Sequence, residues 1–265
     1  MEAGFVAIAV FFAAHWALAA FCQSFFLHRY GAHRMFTMSN RWERFFHLLT
    51  FVSQGASYLN PRAYAILHRE HHAFSDTERD PHTPTRFSNV FSMMWHTKAR
   101  YEAYAHHREL PEPRFDGGYP RWPVLDRLGR SRVVTGLFVV AYIAFYAAFA
   151  TAWWMWLLLP VQMMMGPVHG AIVNWAGHRY GYRNFESPDA SRNTLPIDLL
   201  TGGELFQNNH HRFGSSPNFA VRWFEIDPTY QVMRVLSACG IINLGPRPQA
   251  MRASAPKRAR AGRAA

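Results

Sequence analysis

The chain is poor in cysteine and in acid. It has two cysteines, Cys22 and Cys239, among 265 residues, and they do not form a Cys-x-x-Cys pair. That excludes a disulfide framework, a zinc ribbon and a cysteine-held iron–sulfur cluster. Asp and Glu number 17 against 28 Lys and Arg, leaving a net charge of +11. Cofactor fingerprints are missing as well. There is no GxGxxG run for a flavin or nicotinamide, no HPGG segment of the cytochrome type and no HExxH zinc-peptidase motif. No basic helix or nucleic-acid-binding motif accompanies the positive charge, so nucleic acid is not the expected partner. No helical-array repeat occurs, and the length suits one domain or one compact membrane unit.

Charge is also missing locally. Gly4 to Leu27, Phe45 to Asn60 and Val133 to Gly177 contain no Asp, Glu, Lys or Arg. The last run has 45 residues, enough at about 1.5 Å per helical residue to cross a hydrocarbon core of about 30 Å twice. The expected fold is all-α, an integral membrane helical bundle with spans at about 4–27, 133–159 and 161–177. Pro160 marks the expected turn of the helical hairpin. Gly4–Leu27 lacks the basic flank and the small-residue cleavage site of a signal peptide, which favours a retained span. Phe45–Asn60 is short and carries Ser53, Gln54, Gly55 and Ser57, so it should not cross. Arg29, Arg34, Arg41 and Arg44 follow the first span, Arg127, Arg130 and Arg132 precede the hairpin, and Arg179 and Arg183 follow it. The positive-inside rule places these segments in the cytoplasm. Residues 1–245 form the folded unit, and 246–265 read as a basic, disordered tail able to touch anionic lipid.

What the chain has in quantity is histidine, fifteen in all. They cluster as His28-Arg-Tyr-Gly-Ala-His33, as His68-Arg-Glu-His71-His72 and as Gln207-Asn-Asn-His210-His211, with Asn174 and His178 at the end of the hairpin. On a helix, positions i, i+3 and i+4 share a face. His68, His71 and His72 can therefore converge, as can Gln207, His210 and His211, and Asn174 lies one turn from His178. His28 and His33 are five apart, about 140° around an α-helix, so the helix is expected to end between them, at Gly31. Taken singly, His15, His47, His82, His96, His106, His107 and His169 read as ordinary surface or core residues; His169 differs from the rest in lying within a span, where an ionisable residue tends to face a partner or cavity. The clustered set reads as metal-ligating, and about eight imidazoles suggest two ions, where one zinc would need three or four ligands.

The motifs HRYGAH at 28–33, HREHH at 68–72, DPH at 80–82, NWAGHRYGYRNF at 174–185 and GELFQNNHHRFG at 203–214 closely resemble those of membrane fatty acyl desaturases of the acyl-CoA Δ9 (stearoyl-CoA) type, in a bacterial form. Their order and separations match too, and the resemblance extends to about Pro246. It implies a bundle of long helices whose cytoplasmic ends hold two irons under a histidine-rich cap. The implied metal ligands are His28, His33, His68, His71, His72, His178, His210 and His211, with Asn174 acting through water. The third box of the family begins with histidine; here Gln207 stands in its place. Its amide can offer a weaker oxygen ligand, hold a water, or only hydrogen-bond a neighbouring ligand. The implied reaction uses O₂ to remove two hydrogens from neighbouring methylenes of a fatty acyl chain, leaving a cis double bond. Two electrons would come from a separate donor of ferredoxin, rubredoxin or cytochrome b5 type, which the basic cytoplasmic face could dock if the donor is acidic. Zinc can replace iron in an overexpressed sample. The same site in a hydroxylase is the nearest alternative, and a non-catalytic metal-binding membrane protein a more distant one. The implied location is the bacterial inner membrane, with the histidine boxes and the C-terminus in the cytoplasm.

Overall fold

A computed structural model describes residues 2–245. The basic tail expected over 246–265 lies outside the described residues. Helices dominate. The first, α1 (Glu2–Cys22), continues without a break into a π-helical segment, Gln23–Ala32. Alanine recurs through α1 and proline is absent, so nothing interrupts the backbone ladder. Together the two segments form 31 residues long and apolar enough to cross a membrane. The helix therefore does not end at Gly31, as the spacing of His28 and His33 had led us to expect. It widens instead. The His33 N–H bonds the His28 carbonyl at 3.0 Å, an i to i+5 bond, and residues five apart then lie one above the other.

A two-residue strand, β1 (Thr37–Met38), follows, then α2 (Asn40–Gln54) and α3 (Pro61–Phe74). Asn60 caps α3 by accepting from the Ala63 N–H, and Pro61 supplies a first-turn residue that needs no donor. Next come α4 (Val90–Ala105), capped by Asn89, and α5 (Pro123–Gly129). The second helix long and apolar enough to cross is α6 (Arg132–Phe149), capped by Ser131. α2 is not among those helices, in keeping with its polar content.

The long uncharged run forms two arms, but it does not turn at Pro160. α6 stops at Phe149, and the chain turns through Ala150–Ala152 into a 3₁₀ stretch, Trp153–Leu158. Pro160 instead stands in the first turn of α7 (Leu159–Met163), where its missing N–H costs nothing. The actual break in the second arm comes at Met164, where α8 (Met165–Ala176) leaves at 78° to the preceding helical stretch. The outward faces of α1 and α6 are apolar; Val133 and Leu137 are 73% and 64% exposed. The chain ends with α9 (Gln207–Arg212), α10 (Pro228–Ala238) and β2 (Ile242–Asn243), which pairs antiparallel with β1.

A phenylalanine-rich core of Phe25, Phe26, Phe36, Phe46, Phe206 and Phe219 underlies the histidine boxes. Arg29 is buried within it. Its guanidinium meets Glu204 and Asp227, each at 2.8 Å, donates to the Pro217 carbonyl at 3.1 Å and lies 3.9 Å over the Phe219 ring. One side chain thus ties the first box to the loops around the third. Removing one member of a buried, hydrogen-bonded charge group leaves the others unpaired, at a cost of about 3–5 kcal/mol. Arg29→Ala should lower the unfolding temperature of the detergent-solubilised protein sharply, whereas the exposed Arg41→Ala should leave it nearly unchanged. Equal unfolding temperatures for the two variants would contradict this reading.

Candidate metal centre

Four elements bring their histidines to one place. The π-helical segment carries His28 and His33, whose ring centroids lie 4.9 Å apart. α3 packs on that segment and presents His68, His71 and His72. His178 follows the end of α8, and α9 carries Gln207, His210 and His211. All eight predicted histidines converge, in two adjacent groups. In the first, ligand atoms of His28, His33, His68, His72 and His210 all lie within 4.8 Å of one another. In the second, the same holds for His71, His178 and His211.

The rings are aimed by carboxylates. His71 Nδ1 donates to Asp80 at 2.9 Å, His178 Nδ1 to Asp76 at 2.9 Å and His211 Nδ1 to Asp189 at 2.8 Å. His28 Nδ1 lies against the Glu204 carboxylate. Fixing Nδ1–H in this way leaves the Nε2 lone pairs of His71, His178 and His211 free for a cation and makes them more basic. Sequence reasoning missed all four carboxylates. Asp80 carried a signal, since its DPH motif follows the second box closely. Glu204 lay within the quoted 203–214 motif but without an assigned role, and Asp76 and Asp189 carried no signal.

The inner nitrogens face one another. His28 Nε2 is 3.0 Å from His210 Nε2, His33 Nε2 is 2.7 Å from His68 Nε2, and His71 Nε2 is 3.2 Å from His211 Nε2. Two nitrogens each about 2.1 Å from one ion stand about 3.0 Å apart at a right angle and about 3.4 Å at the tetrahedral angle. The observed spacings thus suit a shared cation. Two buried ring nitrogens, His72 Nε2 and His178 Nε2, have no protein partner at all, which an ion would supply.

Protonation favours the same conclusion. Burial, reinforced by the neighbouring imidazoles, pushes His68, His72 and His210 well below the ordinary histidine range. Burial also takes His211 down to about 4, against the pull of Asp189. These rings are neutral at neutral pH, the state a metal requires. Burial resists ionisation of Asp76 and Asp80, but the histidines that donate to them prevail; both carboxyls lie below their ordinary range, Asp76 at about 2.

Gln207 lies beside the second group. Its Nε2 donates to the Glu204 carbonyl at 2.7 Å, which turns its Oε1 toward His211 Nε2, 3.1 Å away. Asn174 lines the same cavity as Gln207. His82, read from sequence as an ordinary histidine, is buried with its ring centroid 4.4 Å from that of His71, and neither of its ring nitrogens has a protein partner. It forms a third potential ligand group with His71 and Asp80.

The cavity runs past the histidines and has a volume of about 630 Å³. His68, His82, Gln207 and Asn174 line it together with Leu59, Met163 and Gly166. Exposed Phe91 and Trp95 of α4 border it as well.

A mostly helical protein with apolar spanning-length helices and two adjacent clusters of buried imidazoles able to hold metal ions falls in the class of histidine-rich metal-binding proteins. Comparison with known proteins gives the family. Residues 4–238 match the model of the fatty acid desaturases. The chain is 31% identical over 243 residues to a Delta-9 desaturase-like protein of Arabidopsis thaliana, covering 85% of this chain and 72% of that one. It is 30% identical over 217 residues to an acyl-CoA 5-desaturase of Anemone leveillei and 29% identical over 220 residues to an sn-1 stearoyl-lipid 9-desaturase of Synechocystis sp.. Each of these two matches covers 81% of this chain but only 64% of the relative, a little under two thirds of its length. The chain belongs to the fatty acid desaturase family, and the enzyme class that membership carries is fatty acyl desaturase.

Proposed function

We propose that this protein is a membrane-embedded di-iron desaturase that introduces a cis double bond into a long fatty acyl chain, in the manner of the stearoyl-CoA Δ9 enzymes. The observation that carries the reading is the pair of imidazole groups, reached from a largely apolar cavity through His68 of the first group and Gln207 beside the second. Such a cavity takes a methylene chain by burying apolar surface, at about 0.8 kcal/mol per CH₂. His28, His33, His68, His72 and His210 hold one ion; His71, His178 and His211 hold the other, with Gln207 beside it and Asn174 acting through water. Bound as irons, the two ions supply the O₂-dependent oxidising chemistry that removes two hydrogens from adjacent methylenes, using two electrons from a separate donor.

The protein's own residues do the rest. Asp76, Asp80, Asp189 and Glu204 hold the rings in one tautomer and orientation. Leu59, Leu67 and Val173 exclude water from the cavity and keep the chain extended past the centre. Arg179, Arg183 and Arg212, close in sequence to His178 and His211, form no ion pair among the described residues. Free positive charge on that rim favours an acidic donor of ferredoxin, rubredoxin or cytochrome b5 type. We place α1 with its π-helical extension, α6 and the broken α7–α8 arm in a bacterial inner membrane, with the histidines and the C-terminus on the arginine-rich cytoplasmic side.

The test is expression of the full chain, with such a donor, in a host that lacks desaturases, followed by gas chromatography and mass spectrometry of its acyl chains. New cis-monounsaturated chains are expected. Hydroxylated chains alone would establish the hydroxylase reading instead, and an unchanged profile from iron-loaded, membrane-inserted protein would refute both.

A further inference from the structure

The glycines of α8 do not play equivalent parts. Gly166, Pro167, His169, Gly170, Val173 and Asn174 form the stripe of this helix that lines the cavity. From Asn174, beside Gln207, the stripe runs away from the metal centre, and Gly170 lies one turn along it, about 6 Å at 1.5 Å per residue. At Gly166 a side chain has little space, because a Cβ would stand 3.1 Å from the Ser57 carbonyl oxygen and 3.2 Å from Leu59 Cδ1. At Gly177 a Cβ would stand 2.5 Å from Gln207 Cγ and from the Val173 carbonyl oxygen. Those two glycines are close-packing positions. At Gly170 the only atom among the described residues that a Cβ would approach within 4 Å is Gln23 Nε2, at 3.9 Å. Nothing in the packing of α8 demands glycine there. A glycine also costs a helix interior about 1 kcal/mol relative to alanine. The space that its missing side chain leaves belongs to the cavity.

We propose that Gly170 sets the length of acyl chain this enzyme accepts: its missing side chain keeps the bore open one helical turn beyond the metal centre, and a larger residue there would exclude chains that reach past that level. The proposal rests on the cavity being the acyl site. Its energetics are those of any apolar pocket, in which added or removed methylenes are discriminated by about tenfold or more.

The test uses the full chain in membranes, with Gly170→Ala, Gly170→Leu and, as a control, Gly136→Leu on α6, where a Cβ would meet nothing within 4 Å. Each is supplied with lauroyl, myristoyl, palmitoyl and stearoyl chains. Product is profiled, bound metal is counted, and binding of the same chains is read separately from the shift in unfolding temperature. In Gly170→Leu the ratio of stearoyl to lauroyl product should fall by about tenfold or more, with stearoyl binding weakened in parallel and metal content unchanged. Gly170→Ala should shift the ratio in the same direction by less, and it decides the matter if the leucine variant does not fold. A profile like that of the wild type, or an equal loss at every chain length with both metals kept, would overturn the proposal. Failure of the functional reading looks different: the wild type itself would then make no desaturated product, while the binding series would still report whether Gly170 limits length.

Discussion

His71→Ala should abolish desaturation while leaving the protein inserted in the membrane. No other position joins so much of the second metal group. Its Nε2 stands 3.2 Å from His211 Nε2, and its Nδ1 donates to Asp80, whose carboxylate also accepts from the Asp76 and His82 backbone N–H groups. Removing the ring deletes one of the three imidazoles of a group that has no histidine to spare. It also leaves Asp80, a fully buried carboxylate, without the Nδ1–H that donates to it. Loss of an outer carboxylate typically costs about 10–100-fold in metal affinity or activity, so loss of the ligand itself should exceed that. Insertion depends on the apolar helices and should not change. Metal analysis should find the second ion depleted, and the exposed His106→Ala should match the wild type. Wild-type turnover and metal content in His71→Ala would remove this residue from the centre.

The histidines on α-helices were legible because their spacing is a helical one. His68, His71 and His72 follow the i, i+3, i+4 rule, as do Gln207, His210 and His211, and the structure places each set on a helix. The first box was legible as a box but not as a geometry. Five-residue spacing fits no face of an α-helix, so a break at Gly31 was the natural expectation; a π-helix resolves the spacing by widening the turn, and no residue pattern announces one. The turn of the long uncharged run was misplaced for a related reason. Proline marks both helix breaks and helix starts, and Pro160 is a start. The true turn, Ala150–Ala152, contains no residue that signals one. Two of the orienting carboxylates were invisible as partners because they arrive from far along the chain: Asp76 is 102 positions from His178, and Glu204 comes from the loop before α9 to reach His28. Only the fold juxtaposes them. His82 carries no histidine spacing to interpret; the structure buries it against His71, at the edge of the centre.

Gln207→His should tighten the second metal, and Gln207→Ala should loosen it, with the first metal barely affected by either. The two groups are unequal as built: five imidazoles converge in one and three in the other. Gln207 sits at the gap in the poorer group. Its amide nitrogen is held by the Glu204 carbonyl, so the oxygen is presented 3.1 Å from His211 Nε2, the spacing of two ligands on one ion. An amide oxygen is a harder and weaker donor than imidazole toward a first-row transition metal, so the second ion of the natural chain should leave first under a chelator. The site can accept the larger donor because Gly177, packed against Gln207 Cγ, carries no side chain to obstruct it. In a chelator titration of iron-loaded protein, Gln207→His should bring the two release steps together, shifting the weaker by about tenfold or more, in the range that neighbouring groups of a metal site command. Gln207→Ala should separate the steps further. If Gln207 only hydrogen-bonds its neighbours, without meeting the ion directly or through water, histidine and alanine should both weaken the second site by breaking the bond to Glu204. Release curves identical to the wild type in both variants would place Gln207 outside the centre altogether.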